Sequence, residues 1–314
     1  MAETSQTEFD IIVYGTVCLD VIWRVAQLPP LGTYIDIEAE RKTVGGEATN
    51  TAIALAHWGA RVALIGNALG EDEDNRLLRS LFATEAPEID TRFLQSLPNV
   101  MTPFCLCIAT PDGNRTMIGK GFQEMLCPPL DPDKVRPGQL FTTDPNAWDA
   151  GAQACLTAAE MGAQVIPMDY TRHKEVSSIA SINITSSAHV GAKSSLEDLA
   201  HYAQSLRDSC GRTTIVTCGE RGCLIAEEGT IGATPIHIPA YLLPEVLDST
   251  GAGDVFRAGI LFGQWREWNI ERTARFASAA AALNCTALGG WGGVQSLEQI
   301  EAFQSNTETH SPAW

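Results

Sequence analysis

Strand-like apolar segments alternate with helix-like segments along most of this chain, and that rhythm limits the fold more than any other feature. Residues 10–17 are a β-rich apolar run, 50–58 a short helical pattern closed by Gly59, and 61–66 the next strand. Farther on, 147–161 reads as helix, 163–169 as strand, 196–207 as helix and 213–217 as strand. Two more helices follow, the first containing Gly259 and the second, 271–283, rich in alanine. Apolar strands interleaved with amphipathic helices predict a parallel sheet covered on both faces. The 314 residues could make one large α/β domain or two smaller ones, but no low-complexity linker or internal repeat divides them.

Two segments break the rhythm. Segment 21–44 holds Pro29-Pro30, Gly32 and an alternating stretch over 34–40, while 103–120 alternates around a turn at Pro111-Asp-Gly-Asn114. Each looks like strands of a small β-layer attached to the main sheet; a pair of surface hairpins is the alternative.

The densest chemistry lies in Asp248-Ser-Thr-Gly-Ala-Gly-Asp254-Val-Phe-Arg-Ala-Gly259. A polar loop with two glycines passes into an apolar, helix-compatible stretch. The N–H groups of Gly251, Ala252 and Gly253 would face outward at a helix N-terminus, where orphan donors and the helix dipole favour phosphate or a developing anion. Beside such a cradle, the Asp254 carboxylate could accept the proton of a hydroxyl that attacks phosphorus. A glycine C-cap followed by an aspartate N-cap would produce the same spacing.

Charge and cysteine usage narrow the class. With 38 acids against 21 bases the net charge is −17, which argues against nucleic acid or an anionic membrane surface as a partner. It also does nothing to attract ATP, so phosphate would have to be handled by local dipoles and metal. No apolar run reaches the roughly 18 residues of a membrane span, and the polar, acidic start is unlike a signal peptide. The nine cysteines occur singly in apolar segments, as Cys18, Cys155 and Cys285 do, which reads as reduced thiols of a cytoplasmic protein. Cys105-Leu-Cys107 and the Cys218/Cys223 pair lack zinc-site spacing, and no histidine cluster accompanies them.

The 248–259 run resembles the second signature of the ribokinase-like (PfkB) carbohydrate kinase family, Asp-Thr-x-Gly-Ala-Gly-Asp-x-Phe-x-Ala-Gly, with Ser249 and Arg257 as its unusual residues. Far upstream, Gly45-Gly-Glu-Ala-Thr-Asn50-Thr-Ala, followed by Gly59 and Gly66, resembles the first signature, Gly-Gly-x-x-x-Asn-x-Ala. The resemblance spans roughly residues 9–303. It implies a single ribokinase-like kinase domain over 1–314, with a three-layer α/β/α core, a mainly parallel sheet, and segments 21–44 and 103–120 as a small β lid. It implies ATP-dependent phosphorylation of a hydroxyl on a sugar or sugar-like substrate, with magnesium, and potassium in some members. Lid strands in the family often form a homodimer contact.

Carried over position by position, the resemblance makes Asp254 the catalytic base and Gly251, Ala252 and Gly253 the anion hole. Asp20, Gly45, Gly46 and Asn50 become sugar contacts, with Asp144 near a further acidic contact. Asp20 could instead be a strand-end turn residue, and Asn50 a helix N-cap. Thr217, Gly219 and Gly222 resemble the family's strand-to-turn nucleotide contact, though a plain hairpin turn would use the same residues. Ser278 falls at a position that often borders adenine. Asp248, Thr250, Asn284, Ala287, Gly289 and Gly293 map to loops that hold a monovalent cation.

Three departures bear on activity. Asn183-Ile-Thr-Ser186 stands where the family has Asn-x-x-Glu, whose glutamate helps organise the magnesium shell, so no direct magnesium ligand is assigned. Cys18 replaces an asparagine and Glu47 a lysine of ribokinases, which argues against ribose as the acceptor. A nucleoside kinase is an alternative, with Trp23 and Tyr34 as candidate pocket aromatics. A phosphosugar kinase would use Arg41, Lys42, Arg115 or Lys120. A non-catalytic sugar- or nucleotide-binding member is the reading from another class.

Overall fold

Successive side chains of a strand point to opposite faces, and the strand Ile11–Gly15 uses both: Ile11 and Val13 enter one apolar cluster, Ile12 and Tyr14 another. Burial on both faces is what a central strand between helix layers requires. The computed structural model describes residues 8–309, apart from 112, 114 and 192. Strands Gln164–Val165, Leu140–Thr143, Ile11–Gly15 and Val62–Gly66 lie side by side in that order, all parallel. A parallel bridge from Met168 to Ile184 continues the sheet into Ile182–Ser186 and Thr213–Thr217. Cys223–Ala226 and Ile236–Ile238 then finish it in antiparallel fashion.

Helices Glu47–His57, Ala252–Trp265 and Ile270–Asn284 cover one face. Trp148–Glu160, Lys174–Ile179 and Leu196–Cys210 cover the other, which completes three layers. The Ala252–Trp265 helix is pressed closely against its neighbour: a Cβ on Gly259 would stand 2.5 Å from Ala277 Cα. Around Phe262, the rings of Trp58, Phe276 and Trp268 lie at centroid distances of 5.5, 5.3 and 5.6 Å. Each buried aromatic contributes about 1.5–3 kcal/mol, so this cluster fixes the helix of Asp254 against the helix of Asn50.

The two off-rhythm segments join in one layer. Ala39–Gly45, Cys18–Arg24, Phe104–Ala109 and Arg115–Lys120 form a four-stranded sheet in that order, with antiparallel, parallel and antiparallel pairings. They are therefore not two separate hairpins. The strand near the alternating 34–40 stretch starts only at Ala39, because Leu31 and Tyr34 stand in solvent and no strand pairs with them. Of the expected turn at 111–114, Asp112 and Asn114 lie outside the described residues.

The strand expected over 163–169 contracts to Gln164–Val165, although Ile166 N and Met168 N still bond to Phe141 O and Thr143 O. The helix expected over 50–58 begins earlier, at Glu47, with Gly46 as its N-cap at φ 99°. The second change bears on the site, because it places Asn50 inside a helix.

Candidate active site

Asp254 is the third residue of the Ala252–Trp265 helix, whose N-cap is Gly251 in the left-handed conformation, φ 72°. It is therefore not a capping aspartate. Its carboxylate is 8% exposed and accepts a 2.8 Å hydrogen bond from Asn50 Nδ2. Burial pushes the group up to about 6, while the Arg257 guanidinium and the Asn50 amide pull it back. Asn50 is no cap either: it sits in the first turn of its own helix, and its buried Oδ1 has no partner.

The glycine loop is held tightly behind and open in front. A Cβ on Gly251 would lie 1.8 Å from Gly290 O, whereas one on Gly253 would meet only Met168 Cε, at 3.9 Å. Ala252 N–H makes a long 3.4 Å bond to Ser249 O. The N–H groups of Gly251 and Gly253 have no acceptor among the described residues. Unbonded donors, a helix N-terminus and free space are the features an anion cradle would need.

Asp20 lies within the strand Cys18–Arg24, not in a turn after the first strand. Burial is the main force that raises it to about 7; the Cys18 thiol lowers it, and the Asp254 and Asp248 carboxylates raise it further. The Cys18 thiol donates to Asp20 Oδ1 at 3.1 Å. A Cβ on Gly45 would fall 2.0 Å from Asp20 Oδ2, and one on Gly46 would collide with Thr16 O at 2.3 Å, so both glycines admit close neighbours. Asp20, Gly45, Gly46, Asn50 and Asp254 are thus brought together from two strands and two helices.

Asp144 takes a different part from the one its position suggests. It is fully buried, and its oxygens accept from Thr16 N at 2.7 Å, Thr16 Oγ1 at 2.8 Å and Asn146 N at 3.1 Å. It fixes the turn after the first strand.

The loops expected to hold a monovalent cation also converge. Asp248, 1% exposed, accepts from Thr250 N at 2.8 Å and Gly289 N at 2.9 Å. Asn284 Nδ2 donates to Thr250 O and Gly290 O, its Oδ1 accepts from Gly293 N, and Ala287 N–H bonds to Asn284 O. Among the described residues Asp248 has no ion pair. Thr217 pairs with Cys223 across a hairpin whose turn contains Gly219 at φ 60° and Gly222 at φ 87°. Ser278, in the Ile270–Asn284 helix, faces the Cys223 thiol of that hairpin. A Cβ on Gly219 would meet nothing within 4 Å, so the turn is both a hairpin and open on that side.

Three contacts escaped sequence reasoning. Arg257, already marked as an unusual residue of the second signature, is fully buried under Asp254. Asp169, at φ 60°, accepts from Ser186 N at 2.7 Å, Ser186 Oγ at 3.1 Å and Thr185 Oγ1 at 2.8 Å. A carboxylate therefore stands beside the residue that replaces the motif glutamate, and no spacing could have revealed it. Arg115, from the lid, donates to Ser249 Oγ on the glycine loop.

The other candidate lid residues are engaged elsewhere. Arg41 stacks on Trp291 and lies 3.6 Å from Glu85, and Lys42 is 4.0 Å from Glu40. Trp23 Nε1 donates to Glu40, and Tyr34 is 83% exposed, so neither aromatic forms a pocket wall here.

A family model described as pfkB family carbohydrate kinase matches residues 8–125 and 153–295. The chain belongs to this family. As a PfkB carbohydrate kinase it uses ATP to phosphorylate a hydroxyl of a sugar or sugar-like acceptor. An aminoimidazole riboside kinase of Salmonella typhimurium is 26% identical over 295 residues, covering 84% of this chain and 89% of its own. An ATP-dependent ribose-1-phosphate kinase of Halopiger xanaduensis is 27% identical over 281 residues, covering 87% and 90%. The structure of an Arabidopsis thaliana ribokinase complexed with ribose and ATP superimposes with a TM-score of 0.78 at 20% identity, over 94% of this chain and 98% of that one.

Proposed function

We propose that Asp254 is the general base of this PfkB kinase, that the Gly251–Gly253 amides form its anion hole, and that Asp20, Asn50 and the backbone at Gly45–Gly46 hold the acceptor. One observation carries the reading: a buried carboxylate lies in the first turn of a helix whose unbonded amides face open space. Asp254 would take the proton from the acceptor hydroxyl, oriented by Asn50 Nδ2. The amides would meet the charge that develops on the transferring phosphoryl group. Arg115 would add a cation to the same loop from the lid. Thr217, Gly219, Gly222 and Ser278 are the proposed nucleotide contacts.

The residues present fit the expected ions. Magnesium brought with ATP would neutralise phosphate charge, and Asp169, fixed by Ser186 and Thr185, is placed to accept hydrogen bonds from its waters. No side chain is assigned as its direct ligand. The buried Asp248 carboxylate, without an ion pair among the described residues, suits a potassium ion held by carbonyls of the loops through Thr250, Asn284, Ala287, Gly289 and Gly293.

The acceptor is a neutral, donor-rich molecule. Asp20, Glu47, the free Asn50 Oδ1 and Asp254 offer acceptors, while Arg41 and Lys42 lie beside Glu85 and Glu40. This favours a sugar, polyol or nucleoside over a phosphosugar. The Asp169 carboxylate likewise weakens the non-catalytic reading that Ser186 had favoured. The chain would act as one domain over 1–314, with 21–44 and 103–120 as its lid, in the cytoplasm, where its free cysteines would stay reduced. The exposed edge strand Arg115–Lys120 would form a homodimer contact. ADP release with ATP and magnesium, screened over sugars, polyols, nucleosides and phosphosugars, tests the reading. Release with phosphosugars alone would contradict it.

A further inference from the structure

Arg257 lies one helical turn beyond Asp254, and its guanidinium is buried beneath the site. Nε and Nη2 donate to Thr51 Oγ1 at 3.1 and 2.7 Å, Nη1 to Thr143 O at 2.9 Å, and Nη2 also to Glu47 O at 2.7 Å. Its Nη2 stands 3.7 Å from Asp254 Oδ1. The carbonyl and hydroxyl it grips belong to the first five residues of the helix that carries Asn50, so one side chain touches both the base and the element that orients the base. Among the described residues the only buried cations are Arg207 and Arg257, and Arg207 bonds to Asp208, Thr230 and Ala233 instead.

The electrostatics give this cation work to do. Asp254 is faced by Glu47 from the Glu47–His57 helix, by Asp144 after the Leu140–Thr143 strand, and by Asp20 and the exposed Arg115 from the lid. Asp169 stands behind Glu47. Burial and the Asp144 carboxylate thus oppose ionisation of Asp254, and Arg257 is the buried cation that, with the Asn50 amide, favours it. Where ribokinases carry a lysine this chain has Glu47; Arg257 returns a positive charge to that neighbourhood from below.

We propose that Arg257 is a positioning residue that keeps Asp254 ionised and holds Asn50 in register with it, in place of a cation at position 47. This rests on the reading of Asp254 as the base. A guanidinium suits the task because it stays charged and its planar fork serves several acceptors at once.

The test compares pH–rate profiles of the full-length chain and of Arg257→Gln and Arg257→Lys, with ATP affinity and thermal midpoint measured on each. Arg257→Gln keeps donors for the carbonyls but removes the charge. Its acidic limb should move up by about one unit, a tenfold loss of rate below the limb, with ATP affinity kept. Arg257→Lys should retain the wild-type limb with a lower kcat. Thr51→Val, which unties the guanidinium without removing a charge, should move the limb in the same direction by less, and carries the test if Arg257→Gln does not fold. Wild-type limbs in the charge-removing and untying variants, with only stability or rate reduced, would overturn the proposal. An Asp254→Asn variant with normal turnover would instead overturn the underlying reading.

Discussion

Asn50 Nδ2 donates to Asp254 Oδ2 at 2.8 Å across 204 positions of sequence, tying the first turns of two helices that carry different family signatures. The same amide group lies against Gly290, where a Cβ would stand 2.3 Å from Nδ2. Orientation of the proposed base therefore depends on how helices and glycine loops pack.

Replacing Asn50 with leucine should expose that dependence. A hydrogen bond to a charged group is worth about 1.5–3 kcal/mol, so kcat/KM should fall about 10- to 100-fold, with a higher KM for the acceptor. Steady-state kinetics with varied acceptor and varied ATP would separate this from a loss of nucleotide binding.

The glycine loop should tolerate change very unevenly. Gly251→Ala combines a left-handed φ of 72° with a contact to Gly290 O, and the loop must move to fit it. Displacement on the order of 1 Å can cost about 100-fold in rate. Gly219→Ala meets no atom within 4 Å and should lose far less. Comparable kinetics for the two variants would show that the 251–253 amides do not face the reacting phosphate.

Asp169 changes the expectation at Ser186. With a carboxylate already 3.1 Å from Ser186 Oγ, Ser186→Glu would place two acids together, and the variant should be slower and less stable than the wild type. Ser186→Ala should be mild, and Asp169→Asn should raise the magnesium concentration needed for half-maximal rate. Magnesium titrations at saturating ATP, with melting curves, check all three.

Stability of the ligand-free protein should fall as pH rises through the site's titration. Asp20 and Asp254 are raised from 3.8 to about 7 and about 6, so the folded chain holds protons that the unfolded chain releases. Their contribution is fully present below 3.8 and is lost on going up through about 7. The thermal midpoint should therefore decrease from pH 5 to pH 8, and Asp20→Asn should flatten the slope. An unchanged slope in that variant would place the effect elsewhere.

Much of this was legible in the sequence because signatures are local: the glycine loop, Asp254 and Asn50 come from contiguous runs whose backbone chemistry dictates their spacing. The strand and helix rhythm also carried over, except that the 163–169 strand is shorter than expected and the 34–40 strand begins only at Ala39. Hidden were contacts between elements. Nothing in the spacing says that Thr16 and Asn146 consume the Asp144 carboxylate, that Asp169 reaches Ser186, or that Arg257 folds inward beneath its own helix.

The most direct test of the central claim is the single-turnover rate of Asp254→Asn. The amide keeps the size of the side chain but cannot accept a proton, and general-base contributions are typically about 10²–10⁴-fold. The structure adds that Asp254 does not cap its helix, so the fold does not depend on it through that bond. Phosphoryl transfer should fall by that order, with ATP affinity kept or slightly tightened and the thermal midpoint little changed or raised. Wild-type turnover in this variant would contradict the account.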